Sequence, residues 1–236
     1  MKASEVVDRL TTRVPESDSW TLEPYGAFFV EGNLKVNKVL YCVTPTKGVL
    51  TYFEQNKYDL LVSHHPYIAG VPQVILHTAL DCCPGGMNDQ WRDVVGIKNA
   101  KHFDKNMGWS GEIEPILFNK LVKKVADFVG EPIGWTHCDL DNKGNNIIES
   151  VVVCSGLGGL VENQAYGTKA DCYVTGQLVY NPAYSQFRAL IETGHTISES
   201  KPGYNLVKAT LSDIQVDCAS MDIDVFGVEY YGGKRR

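Results

Sequence analysis

The feature that most constrains this 236-residue sequence is a repeated unit. A short apolar run ends in a turn, and helical periodicity follows. VNKVLYCV (36–43), YDLLVS (58–63), SVVVCSG (150–156) and ADCYVTG (170–176) are such runs, and each reads as a buried strand. After the first, Thr44 and Pro45 read as N-cap and first helical residue. Val49, Leu50 and Phe53 then suit an amphipathic helix to about Asn56. Strand, helix and strand with tight connections make a βαβ unit, which implies a parallel pair and a right-handed crossover. The predicted fold class is therefore α/β, with two α/β halves (1–110 and 111–236) and mainly parallel sheets.

Other segments are read by the same rules. Val6, Val7 and Leu10 fit one face of an opening helix. VILHTAL (74–80) reads as a third strand leading into Asp81, and Asn88 as the cap of a short helix through Trp91 and Val94. Pro115 opens a helix carrying Leu117, Leu121, Val125 and Phe128, stopped by Gly130 and Pro132. DNKGNN (141–146) is a polar turn, and a short helix follows the GLGG loop from about Leu160. Asn181-Pro182 starts a helical stretch, while RALIETGH (188–195) suits either a helix end or a strand. Residues 204–214 read as helix, MDIDVFGV (221–228) as a closing strand and GGKRR as a basic tail.

Composition excludes several classes. With 44% hydrophobic and 21% charged residues the chain is an ordinary globular one, which rules out wholesale disorder. A formal net charge of −6 argues against nucleic acid as a partner, since such proteins carry a basic face. No window reaches the roughly 18 apolar residues of a membrane span, so no membrane partner is expected. The charged start, with Glu5, Asp8 and Arg9, lacks the apolar core of a signal peptide, which points to a cytoplasmic protein. The seven cysteines show no CxxC spacing, against both a disulfide framework and a zinc ribbon. Trp20, Trp91, Trp109 and Trp135 read as core or subunit-interface residues rather than base-stacking platforms.

Candidate chemistry collects at predicted strand ends, where open α/β sheets bind ligands. His64 and His65 end one strand, His77 and Asp81 sit on the next, and His195 and Glu199 follow Gly194 at i, i+4. Imidazoles with carboxylates suit zinc, iron, manganese or nickel. The glycine loops at Gly85-Gly86 and Gly156–Gly159, with Gly158 and Gly159 at its end, are tight turns or candidate phosphate-holding amides. Neither is a P-loop.

DLLVSHHPYI, HTALDCCPGGMND, the strand-loop VVVCSGLGG with its continuation to ADCYVTG, and GHTISE occur in one order and spacing. Together they resemble the family of GTP cyclohydrolase 1 type 2 homologues, also called interacting-factor-three-like proteins, over nearly the whole chain. The resemblance implies a two-domain α/β protein with a dinuclear metal site in the cleft, often a ring-shaped homohexamer. By motif the metal ligands would be His64, His65, Asp81, His195 and Glu199, with Asp81 and Glu199 bridging two divalent ions. His77 would either support the ligands from behind or face substrate, where it could shuttle a proton. The sequence departs from the family pattern in three places. Only eleven residues separate His65 from His77, Leu160 replaces a small polar residue, and Gln177 and Asn181 stand where Glu and a second His are frequent.

Two divalent ions and two carboxylates leave a centre of about +2, which attracts a small anionic substrate. The leading expectation is metal-dependent hydrolysis of a phosphate-containing small molecule such as a nucleotide. The rivals are GTP cyclohydrolase-type ring opening, and a non-enzymatic role in binding, delivering or scaffolding metal.

Overall fold

The computed structural model describes residues 1–141 and 144–224. In chain order the elements are α1 (Ala3–Arg13), β1 (Gly26–Phe28), β2 (Lys38–Cys42), α2 (Lys47–Gln55), β3 (Leu60–Ser63), β4 (Gln73–Ile75), α3 (His77–Cys82) and α4 (Met87–Val95). Next come β5 (Lys98–Phe103), β6 (Gly108–Leu117), α5 (Phe118–Val129), β7 (Trp135–Cys138), β8 (Ile147–Cys154), α6 (Glu162–Gly167) and β9 (Cys172–Thr175). The last are β10 (Ala189–Glu192), α7 (His195–Thr210) and β11 (Gln215–Cys218).

The chain forms two compact units, Met1–Met87 with the segment from Glu199, and Asn88–Ser198. Their limits differ from the sequence-based boundary at 110/111, because β5 and β6 pair into the sheet of β8 while β11 returns to pair with β2 in the first sheet. That sheet has the order β1-β4-β3-β2-β11, parallel except at the edge strand β1. Its central strands β2, β3 and β4 are buried on both faces, as parallel strands covered by helices should be. Val39 and Tyr41 of β2 pack with Val6 and Leu10 of α1 and Leu206 and Val207 of α7. The alternate residues Leu40 and Cys42 pack with Val49 and Phe53 of α2. The period of two in β2 thus assigns each side chain to one of two apolar layers.

The second unit has a six-stranded sheet ordered β5-β6-β8-β9-β10-β7. Parallel strands β8, β9 and β10 form its centre, with antiparallel strands flanking them. The helix α5 buries Leu121, Val125 and Val129 at spacings of four and ends at Gly130, whose φ of +77° suits glycine at a helix C-terminus. Among the described residues no helix is long and apolar enough to cross a membrane.

Several local expectations are corrected. The cap of α2 is Thr46, not Thr44, and its hydroxyl accepts the Val49 N–H at 3.1 Å. The run 74–80 is not one strand. It breaks at Leu76 into β4 and the buried helix α3, whose Thr78, Ala79, Leu80 and Asp81 are all enclosed and so mimic a buried strand in sequence. Pro115 lies in β6, inside the register shift between Glu112 and Ile116, where a missing N–H is tolerated. The helix opens at Phe118 instead. RALIETGH resolves as the strand β10.

The helix α7 begins at His195 rather than near 204 and runs through Pro202. Proline cannot supply the N–H that the Ser198 carbonyl would receive. The Trp91 indole N–H donates to that carbonyl at 3.0 Å. At Gly203 an added Cβ would lie 1.9 Å from the Tyr41 hydroxyl, which itself donates to the Glu199 carbonyl at 3.2 Å. Both helix-breaking residues are thus matched to neighbours from other elements. Residues 221–224 of the expected closing strand form a turn; its remainder and the GGKRR tail lie outside the described residues, as do residues 142–143 of the polar turn.

Candidate metal centre

The backbone of the first sheet builds the site. Beyond Ser63 the β3 ladder continues, with the His64 and His65 N–H groups donating to the Cys42 and Val43 carbonyls at 3.0 and 2.8 Å. On the other side, the His77 N–H donates to the His64 carbonyl at 2.9 Å. Parallel strands that end side by side therefore bring HHP and HTxLD together. The short segment between them is fastened by buried Gln73, whose amide donates to Ser63 Oγ at 2.8 Å and to the Tyr67 carbonyl at 2.9 Å.

His64, Asp81 and Glu199 are buried and offer ligand atoms within 4.8 Å of one another; His64, His65 and His77 form a second such group. His64 Nε2 stands 3.3 Å from Glu199 Oε1 and 3.6 Å from Asp81 Oδ2, and His65 Nε2 stands 3.5 Å from Glu199 Oε2. These separations exceed the roughly 2.7–2.9 Å of a charge-assisted hydrogen bond. They match donors around one ion, because two ligand atoms about 2.1 Å from a tetrahedral metal stand about 3.4 Å apart. The donor set, imidazole nitrogen with carboxylate oxygen, is that of a transition metal. The residues therefore fit a metal. Burial pushes the His64 pKa down, but the charges of Glu199 and Asp81 outweigh it and carry the value up to about 9.

His195 opens α7, and Glu199 follows one turn later on the same helix. His195 Nδ1–H donates to Gln177 Oε1 at 3.1 Å. The other ring partners were not legible as motifs. The Thr44 hydroxyl lies 2.7 Å from His65 Nδ1, and Glu23 accepts from His77 Nδ1. Glu23 also accepts the Thr78 N–H at 3.1 Å and its hydroxyl at 2.5 Å. Burial raises the Glu23 pKa, yet the bonds from His77 and Thr78 prevail and hold it at about 2. Buried Asp224 accepts the Val43 and Thr44 N–H groups at 2.5 and 2.7 Å, fixing the backbone that carries Thr44. Glu23 stands 54 residues from His77 in an unpatterned loop, and only the departure from the family pattern at Gln177 offered a signal.

The glycines have other work. A Cβ on Gly86 would lie 2.4 Å from the Leu80 carbonyl oxygen, and the Gly86 N–H donates to the Cys83 carbonyl. Gly85 has φ +69° and lies under the Arg13 guanidinium. A Cβ on Gly158 would lie 2.2 Å from Thr175 Oγ1, and the Gly159 N–H donates to the Gln177 carbonyl. Close packing thus accounts for these positions, and the Gly86 and Gly159 amides are spent within the fold rather than held for phosphate.

An α/β protein with buried imidazoles and carboxylates at the ends of parallel strands is a candidate metalloprotein. Comparison with known proteins makes the class specific. The model of the Duf34/NIF3 (NGG1p interacting factor 3) family matches residues 1–75 and 69–229, and the chain belongs to that family. The sequence is 27% identical over 177 residues to a protein of Lactococcus lactis named "GTP cyclohydrolase 1 type 2 homolog", covering 71% of this chain and 65% of that one. It is 26% identical over 163 residues to a Streptococcus pneumoniae protein of the same name, covering 65% of this chain and 59% of that one. The matched stretch thus spans less than two thirds of each of these relatives. Reduced HcgD from Methanocaldococcus jannaschii shares the fold, with TM-score 0.78, 20% identity, and coverage of 92% of this chain and 97% of that one.

Proposed function

We propose that this protein is a dinuclear metal-dependent hydrolase of a phosphate-containing small molecule, with nucleotides the leading class. The observation that carries the reading is the set of buried His64, Asp81 and Glu199, facing one another at 3.3 and 3.6 Å from His64 Nε2. Two buried carboxylates beside histidines are costly to keep unless a cation compensates them. Asp81, Glu199, His64 and His65 would hold the ions. His195 would be the fifth ligand, by its spacing from Glu199 on α7. Divalent ions there would supply Lewis acidity and lower the pKa of water to roughly 7.

The remaining work falls to side chains. Thr44 and Gln177 contact Nδ1 of His65 and His195, which favours ligation through Nε2. His77, gripped through Nδ1 by Glu23, keeps Nε2 to give or take a proton as substrate reacts. A positive centre in a chain of net charge −6 draws the anionic end of a substrate inward. A ring-shaped homo-oligomer and a cytoplasmic location belong to the same proposal.

The decisive experiment loads the protein with zinc, manganese, iron or nickel and screens it against nucleotides and phosphoesters, alongside Asp81→Ala. Turnover that Asp81→Ala loses supports the hydrolase. No turnover with either protein overturns it, and tight metal binding in that case points to a metal-binding role.

A further inference from the structure

We infer that a cleft in the second unit binds a planar nitrogen heterocycle bearing N–H donors, as the ring-binding subsite of the substrate. The inference rests on the proposal that the protein acts on a nucleotide-like molecule, and it assigns a place to the part of that molecule that carries no phosphate. The cleft has a volume of about 300 Å³ and includes Trp135, Gln177, Leu178, Tyr180, Asn181 and Glu192 in its lining. That size is at the lower end of small-molecule sites, enough for one ring system.

Three observations select the ligand chemistry. First, Trp135 and Glu192 are directly paired across β7 and β10, so their side chains leave the sheet on the same side. Trp135 is 43% exposed where Trp91 is 2% exposed, and Tyr180 is 77% exposed. Of the two expected settings for Trp135, core or subunit interface, exposure removes the core, and both rings offer stacking faces at the cleft. Second, Glu192 is 6% exposed and its Oε1 accepts the Leu178 N–H at 2.7 Å, which holds the carboxylate in the cleft wall. A buried carboxylate repels a phosphate and rewards a ring edge carrying N–H donors. Third, Gln177 lines the cleft and also accepts from His195 Nδ1. A ring in the cleft thus lies against the residue that orients a proposed metal ligand.

The test uses the full-length protein and phosphate-free probes. Guanosine and adenosine are titrated by calorimetry and tryptophan fluorescence, with ribose as the ring-free control and chelator present throughout. At least one nucleoside should saturate while ribose does not. Glu192→Gln, which keeps an oxygen for the Leu178 N–H, should weaken binding about tenfold, and Tyr180→Ala, at an exposed position, roughly threefold. Trp135→Phe should silence the fluorescence change while calorimetry still records binding. Failure of both nucleosides to saturate below about 10 mM, or wild-type affinity in Glu192→Gln, overturns the inference. Because the probes carry no phosphate and need no metal, the two readings fail separately. Turnover of phosphoesters without nucleoside binding removes only the cleft, and nucleoside binding without turnover removes only the hydrolase.

Discussion

The ends of β4 and β10 are built alike. Each is parallel to one neighbour, and that ladder runs past its last residue: the His77 N–H donates to the His64 carbonyl, and the Gly194 N–H to the Gly176 carbonyl. Each is followed by a helix that opens on a histidine and carries a carboxylate four residues later, His77 with Asp81 on α3 and His195 with Glu199 on α7. In each the histidine Nδ1 is engaged by a side chain from elsewhere. The difference lies in that partner. Glu23 is a carboxylate that also accepts from Thr78, whereas Gln177 is a neutral amide. The neighbouring strands differ too, since β3 is followed by two histidines and β9 by Gly176 and Gln177. Gly176 is required there, because a Cβ would lie 2.3 Å from Ser198 Oγ. Under the proposed function, one geometry would serve proton handling in one place and ligand placement in the other.

The largest expected effect comes from removing a carboxylate at either end. Asp81→Ala and Glu199→Ala should each weaken metal binding by about 100-fold or more. Elemental analysis of purified protein reads this as lost ions per chain, and full metal content in either variant breaks the equivalence of the two helices. Next, Glu23→Gln turns the first end into a copy of the second. Turnover should fall about tenfold while bound metal stays near wild type. A parallel loss of metal would make His77 a ligand rather than a proton carrier.

Gln177→Ala should do the reverse, lowering metal affinity by about tenfold at its upper reach and leaving the rate per loaded site nearly unchanged. Competition with a chromogenic chelator measures it. The smallest effect is on stability against pH in the metal-free protein. Because the folded pKa of His64 lies at about 9, above its ordinary value of 6.5, its protonated form stabilises the fold fully below about pH 6.5. That contribution is lost as pH rises toward 9, so thermal melts should shift downward across this window. His64→Gln should flatten the dependence.

Much of the fold was legible, and so were the candidate ligands. The apolar runs of β2, β3, β8 and β9 announce strands because Val, Leu, Ile and Tyr recur between turn residues. Helix α5 shows its face through Leu121 and Val125, although its start was misread at Pro115 because a bulge in β6 absorbs that proline. Helix α3 escaped detection because a buried six-residue helix has no polar face to create periodicity. The start of α7 escaped because Pro202 and Gly203 oppose a helix locally, and their compensation by Trp91 and Tyr41 comes from distant segments.

By itself, the sequence determined the α/β class, the strand ends and the histidines and carboxylates placed there. These follow from short-range patterns, since periodicity and i, i+4 spacing are properties of neighbouring residues. Only the tertiary structure decided which groups face one another and which hold them. Glu23, Thr44 and Gln177 act across 54, 21 and 18 residues of chain, where the fold and not the spacing sets distance. The Gly86 and Gly159 amides make the same point, because whether an amide is spent on a carbonyl or held out for a ligand depends on what packs against it.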